Sequence, residues 1–453
     1  MSGRQHDLVV IGAGVGGLEV ALRAAEGGLD VLIVEAGLVG GECPYWGCIP
    51  SKAMTRAGQV LGEAARAGDV AGALTIRPNW ATLAPRVREV SDGWEDTRTV
   101  DRLRAAGVRL SRGRARITAP GEVEVDGLGV SSRLGLVIAT GTRPAIPDVD
   151  GLSGVPFWTN REAIEATACP RSLIVLGGGS VGLELGQVFR RFGADVTIVE
   201  VGEHVLAMEE PENAAAMDEV LRRDGIVVRV GATASRVTPT PDGVSVQVSD
   251  GSHIEAEQLL VATGRRPDLH PLGVDRVGLD PGADRVATDE HLRAGDRLWA
   301  VGDVTGHGAF THVAYYQAQI AAADVLGHDH EPADYSAVPR VTFTDPELGG
   351  VGLTEAQARD SGMDVRVGTQ PIRDSDRGWL YGRGADLGVT KLVADARTGT
   401  LVGGSTLGPA AGETTALLAL AIRARIPVAL LSEVIYPYPT FARAIRGALR
   451  RLS

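Results

Sequence analysis

Two cysteines stand five positions apart in the stretch Gly40-Gly41-Glu42-Cys43-Pro44-Tyr45-Trp46-Gly47-Cys48-Ile49-Pro50-Ser51-Lys52. The stretch reads as the mouth of a helix, where unpaired N–H groups and the macrodipole favour negative charge. A thiolate forms more readily there, and the thiolate is the reactive species of cysteine. Two cysteines this close can also close a small disulfide ring. Such a ring is strained and reducible, which suits redox cycling better than stapling. The competing reading is a pair of buried, inert thiols. No metal site is expected, because zinc needs about four ligands and no second Cys/His cluster stands in the sequence. Lys52, one turn past Cys48, is read as an active-site cation rather than a solvated surface charge.

Short apolar runs ending in glycine turns must position that pair. Residues 7–11 (Asp-Leu-Val-Val-Ile) form a predicted buried parallel strand. It flows into Gly12-Ala13-Gly14-Val15-Gly16-Gly17, a helical segment over 18–25, and a second strand over 31–34 that ends in Glu35. Glycines at these places allow a tight turn and let a pyrophosphate approach a helix N-terminus, while the acid accepts from a ribose hydroxyl. The whole pattern recurs. A strand over 172–176 enters Gly177-Gly178-Gly179-Ser180-Val181-Gly182, a helix follows over 183–192, and a strand over 196–199 ends at Glu200. Two such units in one chain imply two dinucleotides, a flavin and a nicotinamide passing electrons. Glu200 suits the free 2′-hydroxyl of NADH, since a carboxylate repels a 2′-phosphate. No Arg follows it in Val201-Gly202-Glu203-His204. The run ending Ala139-Thr140-Gly141 is echoed by Ala262-Thr263-Gly264, and a third buried run ends at Gly302-Asp303, where a carboxylate could bond a ligand hydroxyl.

Composition narrows the class. At 453 residues the chain is long enough for about three domains. A net charge of −12 without a basic patch argues against nucleic acid. No apolar run reaches about 18 residues, so no membrane span is expected. Three cysteines (Cys43, Cys48 and Cys169) and no signal peptide point to a reducing cytoplasm. Residues 53–106 read as helical with breaks at Pro78 and Pro85, and strands, a helix over 414–424 and a final helix near 441–452 are expected beyond 336.

With these motifs in this order, the chain resembles the FAD-dependent pyridine nucleotide–disulfide oxidoreductases of the first class. That family includes dihydrolipoamide dehydrogenase, glutathione reductase and mercuric reductase. The resemblance extends through Ala262-Thr263-Gly264-Arg265-Arg266-Pro267, Phe343-Thr344-Asp345-Pro346-Glu347 and Pro439-Thr440. It implies an α/β fold with two Rossmann-like, doubly wound dinucleotide-binding domains and an α+β C-terminal dimerisation domain. The expected divisions are 1–150 (first part of the FAD domain), 151–268 (NAD(P) domain), 269–335 (central FAD part) and 336–453 (dimerisation domain). Gly12, Gly14, Gly17, Glu35 and Gly41, with Thr140, Gly141, Gly302 and Asp303, would serve FAD. Gly177, Gly179, Gly182, Glu200 and Gly264 would serve NAD(P)H. Cys48 would face the flavin as a charge-transfer thiolate, Cys43 would meet the acceptor, and Lys52 would sit by the flavin paired with Glu184.

One departure stands out. Where the disulfide reductases carry His-Pro-Thr and a Glu five residues after the His, this chain has Tyr438-Pro439-Thr440 and Arg443. A phenol, ionising near pH ~10, is a poor base at neutral pH. Tyr438 is the candidate acid/base at that place, Tyr436 is expected to line the same entrance, and Tyr45 and Trp46 make the acceptor side aromatic, which suits a flat acceptor such as a quinone and suits simple packing equally. The resulting expectation is a homodimeric NADH-dependent flavoenzyme reducing a small disulfide or another thiol-reactive acceptor. A quinone or metal-ion reductase, or a non-catalytic flavoprotein redox sensor, are the alternatives.

Overall fold

Residues 4–452 are described by a computed structural model. They divide into two units, each with its own sheets. The first comprises the described residues up to Pro50, Val87–Ala145 and Arg265–Asp334. Its Val-, Ile- and Leu-rich runs make one parallel sheet, in the order Leu298–Ala300, Leu128–Ile138, Arg4–Ile11, Val31–Glu35, Arg109–Arg112. Arg293–Gly295 adds an antiparallel edge. Side chains alternate between the faces of a strand, and here both alternating sets are buried. Leu8, Val10, Val31, Ile33 and Val137 pack with Ala21, Ala24, Ala318 and Ala321 of two helices. Val9, Ile11, Leu32, Val34, Leu136 and Ile138 pack on the other face with Ile117 and Val123. Each such side chain contributes about 1.5–3 kcal/mol of burial, which is why these strands read as unbroken apolar runs.

The register decides where the site lies. Ile11 pairs with Val34 and Ile138, and Ile138 pairs with Ala300. Gly12, Thr140 and Gly302 therefore leave the sheet together at its carboxyl end, where Glu35 is the last residue of its strand and where open α/β sheets bind ligands.

The second unit comprises Ser51–Arg86, Ile146–Gly264 and the described residues from Tyr335. It holds a parallel sheet ordered Val227–Arg229, Asp195–Val199, Ser172–Leu176, Gln258–Val261, and a three-stranded antiparallel sheet over Ala234–Thr240, Gly243–Val248 and His253–Ala256. A five-stranded antiparallel sheet runs Pro339–Thr342, Glu347–Gly352, Thr400–Gly408, Val389–Asp395, Val365–Pro371. The chain is thus α/β with two parallel, dinucleotide-type sheets and a strand-rich C-terminal part.

Two local expectations are corrected. Pro85 does not break a helix. It lies inside Trp80–Val90, where a proline removes one hydrogen bond and can be carried if the rest of the helix is packed; Trp80, Leu83 and Val87 are buried. The final helix is Arg443–Leu449 rather than a span starting at 441. Among the described residues no helix is long and apolar enough to cross a membrane.

Candidate active site

The first glycine turn is a cradle. Gly12 has φ +99°, and a Cβ there would overlap the Ala139 carbonyl oxygen. A Cβ on Gly17 would overlap the Gly12 carbonyl oxygen, which is how the helix Val15–Glu26 approaches its strand so closely. Gly14 is the N-cap and faces open space, and no side chain caps the amides behind it. Those N–H groups are free to bind an anion. Glu35 closes the turn, its Oε2 accepting from Ala13 N at 2.7 Å and its Oε1 from Gly37 N at 2.6 Å.

The redox stretch is pinned to this turn. Gly40 N donates to Ala13 O at 2.8 Å. Gly41 has φ +71°, and a Cβ on it would come 2.7 Å from the Gly14 Cα. Cys43 lies in the first turn of the short helix Glu42–Tyr45, and Cys48 opens the helix Cys48–Arg66. Both residues are half-buried thiols, not joined in a disulfide. Cys43 is hydrogen-bonded to Cys48, and the Cys48 Sγ lies 3.1 Å from Thr311 Oγ1 at the start of the helix Thr311–Leu326. The helix-mouth expectation of an easily formed thiolate fails for Cys43. Its hydrogen bond with Cys48, then burial, push that thiol well above the ordinary range. Two thiols in contact resist losing both protons at once, so the pair retains one.

Above the same sheet edge, Asp303 Oδ2 accepts from Thr142 Oγ1 at 2.9 Å. Arg265 donates to Thr142 Oγ1 at 3.0 Å and to Thr142 O at 2.7 Å. Burial raises the Asp303 carboxyl, although Thr142 and Arg265 pull it the other way. Gly302, at φ +84°, turns the chain, and its N–H donates to Gln317 Oε1 at 2.7 Å. Thr140 is exposed, while Gly141 (φ +63°) and Gly264 (φ +115°) have open space where a Cβ would stand.

The second unit repeats the cradle. A Cβ on Gly177 (φ +108°) would overlap the Ala262 carbonyl oxygen, one on Gly182 would overlap the Gly177 carbonyl oxygen, and Gly179 is an open N-cap without a side-chain cap. Glu200 accepts from Gly178 N at 2.5 Å and Gly202 N at 2.6 Å. Glu184, on the helix Ser180–Arg191, is only 4% exposed. A carboxylate so buried needs partners. It has Lys52 Nζ at 2.8 Å and Phe343 N at 2.9 Å, and the ammonium stands 4.7 Å over the Phe343 ring.

The profile of the pyridine nucleotide-disulphide oxidoreductases matches residues 6–318, and that of their dimerisation domain matches residues 338–449. This chain belongs to the pyridine nucleotide–disulphide oxidoreductase family. Mercuric reductase of Staphylococcus aureus is 34% identical over 98% of this chain and 82% of its own length. Dihydrolipoyl dehydrogenase of Halobacterium salinarum is 36% identical over 98% and 95%. The copper(II) complex of the HOCl-induced flavoprotein disulfide reductase RclA from Escherichia coli superimposes with a TM-score of 0.86 at 25% identity, covering 99% of both chains. The chain is therefore an FAD-dependent flavoprotein oxidoreductase of the pyridine nucleotide–disulfide class. The cradle at Gly12–Gly17, open at Gly14 and flanked by Glu35 and Asp303, fits an adenine dinucleotide.

In the dimerisation domain, Tyr438 is 64% exposed, and the Arg443 guanidinium stands 4.8 Å over its ring. The two residues that depart from the family's His and Glu thus form a cation–π pair. One aromatic expectation is corrected and one open choice is decided. Tyr436 donates its hydroxyl to Leu431 O at 3.2 Å and packs on the core. Tyr45 is 1% exposed, with its hydroxyl on Val39 O at 2.9 Å, so it is a core residue. Three contributors escaped the sequence reading: Thr142, Thr311 and Gln317. Each is a common polar residue whose contact with Asp303, Cys48 or Gly302 spans more than a dozen positions. Only the Thr142 position, directly after Ala139-Thr140-Gly141, carried a local hint.

Proposed function

We propose that this chain is an NADH-dependent, homodimeric reductase of a low-molecular-weight disulfide, working through Cys43 and Cys48. The observation that carries the reading is the thiol pair itself, hydrogen-bonded sulfur to sulfur and braced by Thr311, on a loop pinned to the first glycine turn. FAD, when bound, relays hydride equivalents from the nicotinamide to the sulfur pair. Gly12, Gly14, Gly17, Gly41, Glu35, Thr140, Gly141, Gly302 and Asp303 hold it. Gly177, Gly179, Gly182, Glu200 and Gly264 hold the nicotinamide dinucleotide, and the carboxylate of Glu200 favours NADH. Lys52 is the cation on the flavin side, oriented by Glu184.

The sulfur chemistry follows. NADH gives two electrons, and with one further proton the Cys43–Cys48 disulfide becomes a dithiol. The Cys43 sulfur attacks an acceptor disulfide and releases one thiol. Cys48 then attacks Cys43, which releases the second thiol and restores the internal disulfide. The protons that leave the dithiol end on the two departing thiolates, and Tyr438 of a partner subunit, a neutral phenol, is the candidate acid/base that hands a proton to a departing sulfur. Exposed Leu417, Leu420, Leu430 and Ile435 in the dimerisation domain support pairing with a second copy. The domains follow the divisions 1–150, 151–268, 269–335 and 336–453, and the protein acts in the cytoplasm.

A metal-ion reductase is the second reading, because a similar solved structure is a copper(II) complex. A quinone loses support from the burial of Tyr45. The test is a screen of disulfides, quinones, and mercuric and cupric ions with NADH, run beside Cys48→Ser. That variant should stay yellow, lose the long-wavelength absorption band that NADH elicits anaerobically, and lose at least about three orders of magnitude of disulfide turnover. A band that survives in Cys48→Ser would refute the assignment.

A further inference from the structure

We infer that His291, Asp324 and His330 form a binding site for a zinc-type divalent metal ion, away from the redox pair in function and sequence. One ring nitrogen of each histidine and one Asp324 oxygen lie within 4.8 Å of one another. The three come from separate segments of the first unit: the turn before Arg293–Gly295, the end of the helix Thr311–Leu326, and the stretch leading out of the unit.

The details suit ligation. His330 Nδ1 lies 3.0 Å from the Glu331 carbonyl oxygen. A proton donated there leaves Nε2 as a lone pair, the tautomer metal ligands adopt. That Nε2 lies 3.5 Å from Asp324 Oδ1; two ligands of a tetrahedral ion with bonds near 2.1 Å stand about 3.4 Å apart. Asp324 is held by Arg293, Nε to Oδ2 at 2.7 Å and Nη2 to Oδ1 at 2.6 Å, and by Trp299 Nε1 to Oδ2 at 2.7 Å. Oδ2 carries two of these donors and Oδ1 one, so Oδ1 keeps a lone pair. His291 supplies the independent sign. Its Nδ1 is sealed from solvent without a hydrogen-bond partner, although the ring stands edge-on to His330 at 5.0 Å between centroids. The turn that carries it is fixed by Asp289, which accepts from His291 N and Arg293 N. Two imidazoles and one carboxylate suit zinc, nickel or copper, not calcium or magnesium, which want oxygen. The ion would clip the exit segment, already tied by Ala333 N to Glu290 O at 2.8 Å, onto the sheet.

The test uses zinc, which has no redox chemistry, on the flavin-loaded Cys43→Ser/Cys48→Ser protein, so that the thiols do not compete. Calorimetry should show one saturable equivalent, with a rise in Tm as zinc is added. Adding His330→Asn or His291→Asn should weaken binding at least tenfold and abolish the rise. In the unsubstituted holoprotein, zinc should block modification of both histidines by diethyl pyrocarbonate, read by peptide mass spectrometry. Affinity unchanged by the histidine substitutions, no binding at millimolar zinc, or equal modification with and without zinc would each overturn the site.

Discussion

The two glycine turns are near copies in geometry and differ in what surrounds them. Both place an open glycine at a helix N-cap, both let a glycine backbone touch the carbonyl of an Ala-Thr-Gly run, and both end in a glutamate taking two backbone N–H groups. Around the first, the loop of Gly40 and Gly41 closes over Gly14 and delivers two cysteines. Around the second, the neighbouring segment bonds through Leu206 N to Gly178 O and brings no cysteine. The comparison teaches that the dinucleotide cradle is a generic part. Chemistry enters with the loop that packs beside it: the cradle flanked by the redox loop suits a resident cofactor, and the one without it suits a substrate that must come and go.

The strongest way to break that division is to fill one cradle at a time. Gly17→Ala should yield colourless protein, because the new methyl collides with the Gly12 carbonyl. Gly182→Ala should stay yellow and be reduced by dithionite, yet lose at least about a hundredfold in kcat/KM for NADH, overpacking being worth about 1–3 kcal/mol and more against backbone. If both variants lose flavin alike, the two turns do not serve separate dinucleotides. A milder contrast is Glu35→Gln against Glu200→Gln. A Gln amide replaces one acceptor by a donor facing an N–H, at a cost of about 1–3 kcal/mol. Glu35→Gln should keep its flavin through gel filtration, while Glu200→Gln should raise the KM for NADH about tenfold and narrow the preference over NADPH.

Two smaller effects sharpen the contrast between the sulfurs. Thr311→Val removes the hydroxyl beside Cys48 and should slow disulfide turnover about three- to tenfold, with flavin content unchanged, since a neutral hydrogen bond is worth about 0.5–1.5 kcal/mol. Cys169 belongs to the second unit, and burial pushes its thiol up to about 11. At pH 8 its thiolate fraction is then about a hundredfold below that of a thiol ionising at 9. Iodoacetamide labelling followed by mass spectrometry should find it nearly untouched, and Cys169→Ala should leave turnover unchanged.

Local patterns were legible where physics acts over a few residues. A buried parallel strand must be apolar throughout, a turn at positive φ wants glycine, and a carboxylate at a strand end finds the amides of the adjoining turns. That was enough to read both cradles, the redox stretch and the repeat. Pro85 misled because packing of Trp80, Leu83 and Val87 outweighs one lost hydrogen bond. Tyr45 stayed open between acceptor wall and packing, because nothing in a loop's composition says which aromatic faces inward; its burial decides for packing.

The sequence by itself determined two dinucleotide cradles, their order along the chain and the thiol pair between them, since each rests on contacts made within about thirty residues or on a strict residue type. Only the tertiary structure decided that Thr311 braces Cys48, that contact with Cys48 and burial raise the Cys43 thiol, and that His291, Asp324 and His330 converge. These depend on which distant segments the sheets bring to one place, and on how deeply a group is removed from water. Residue order along the chain encodes neither in any local pattern.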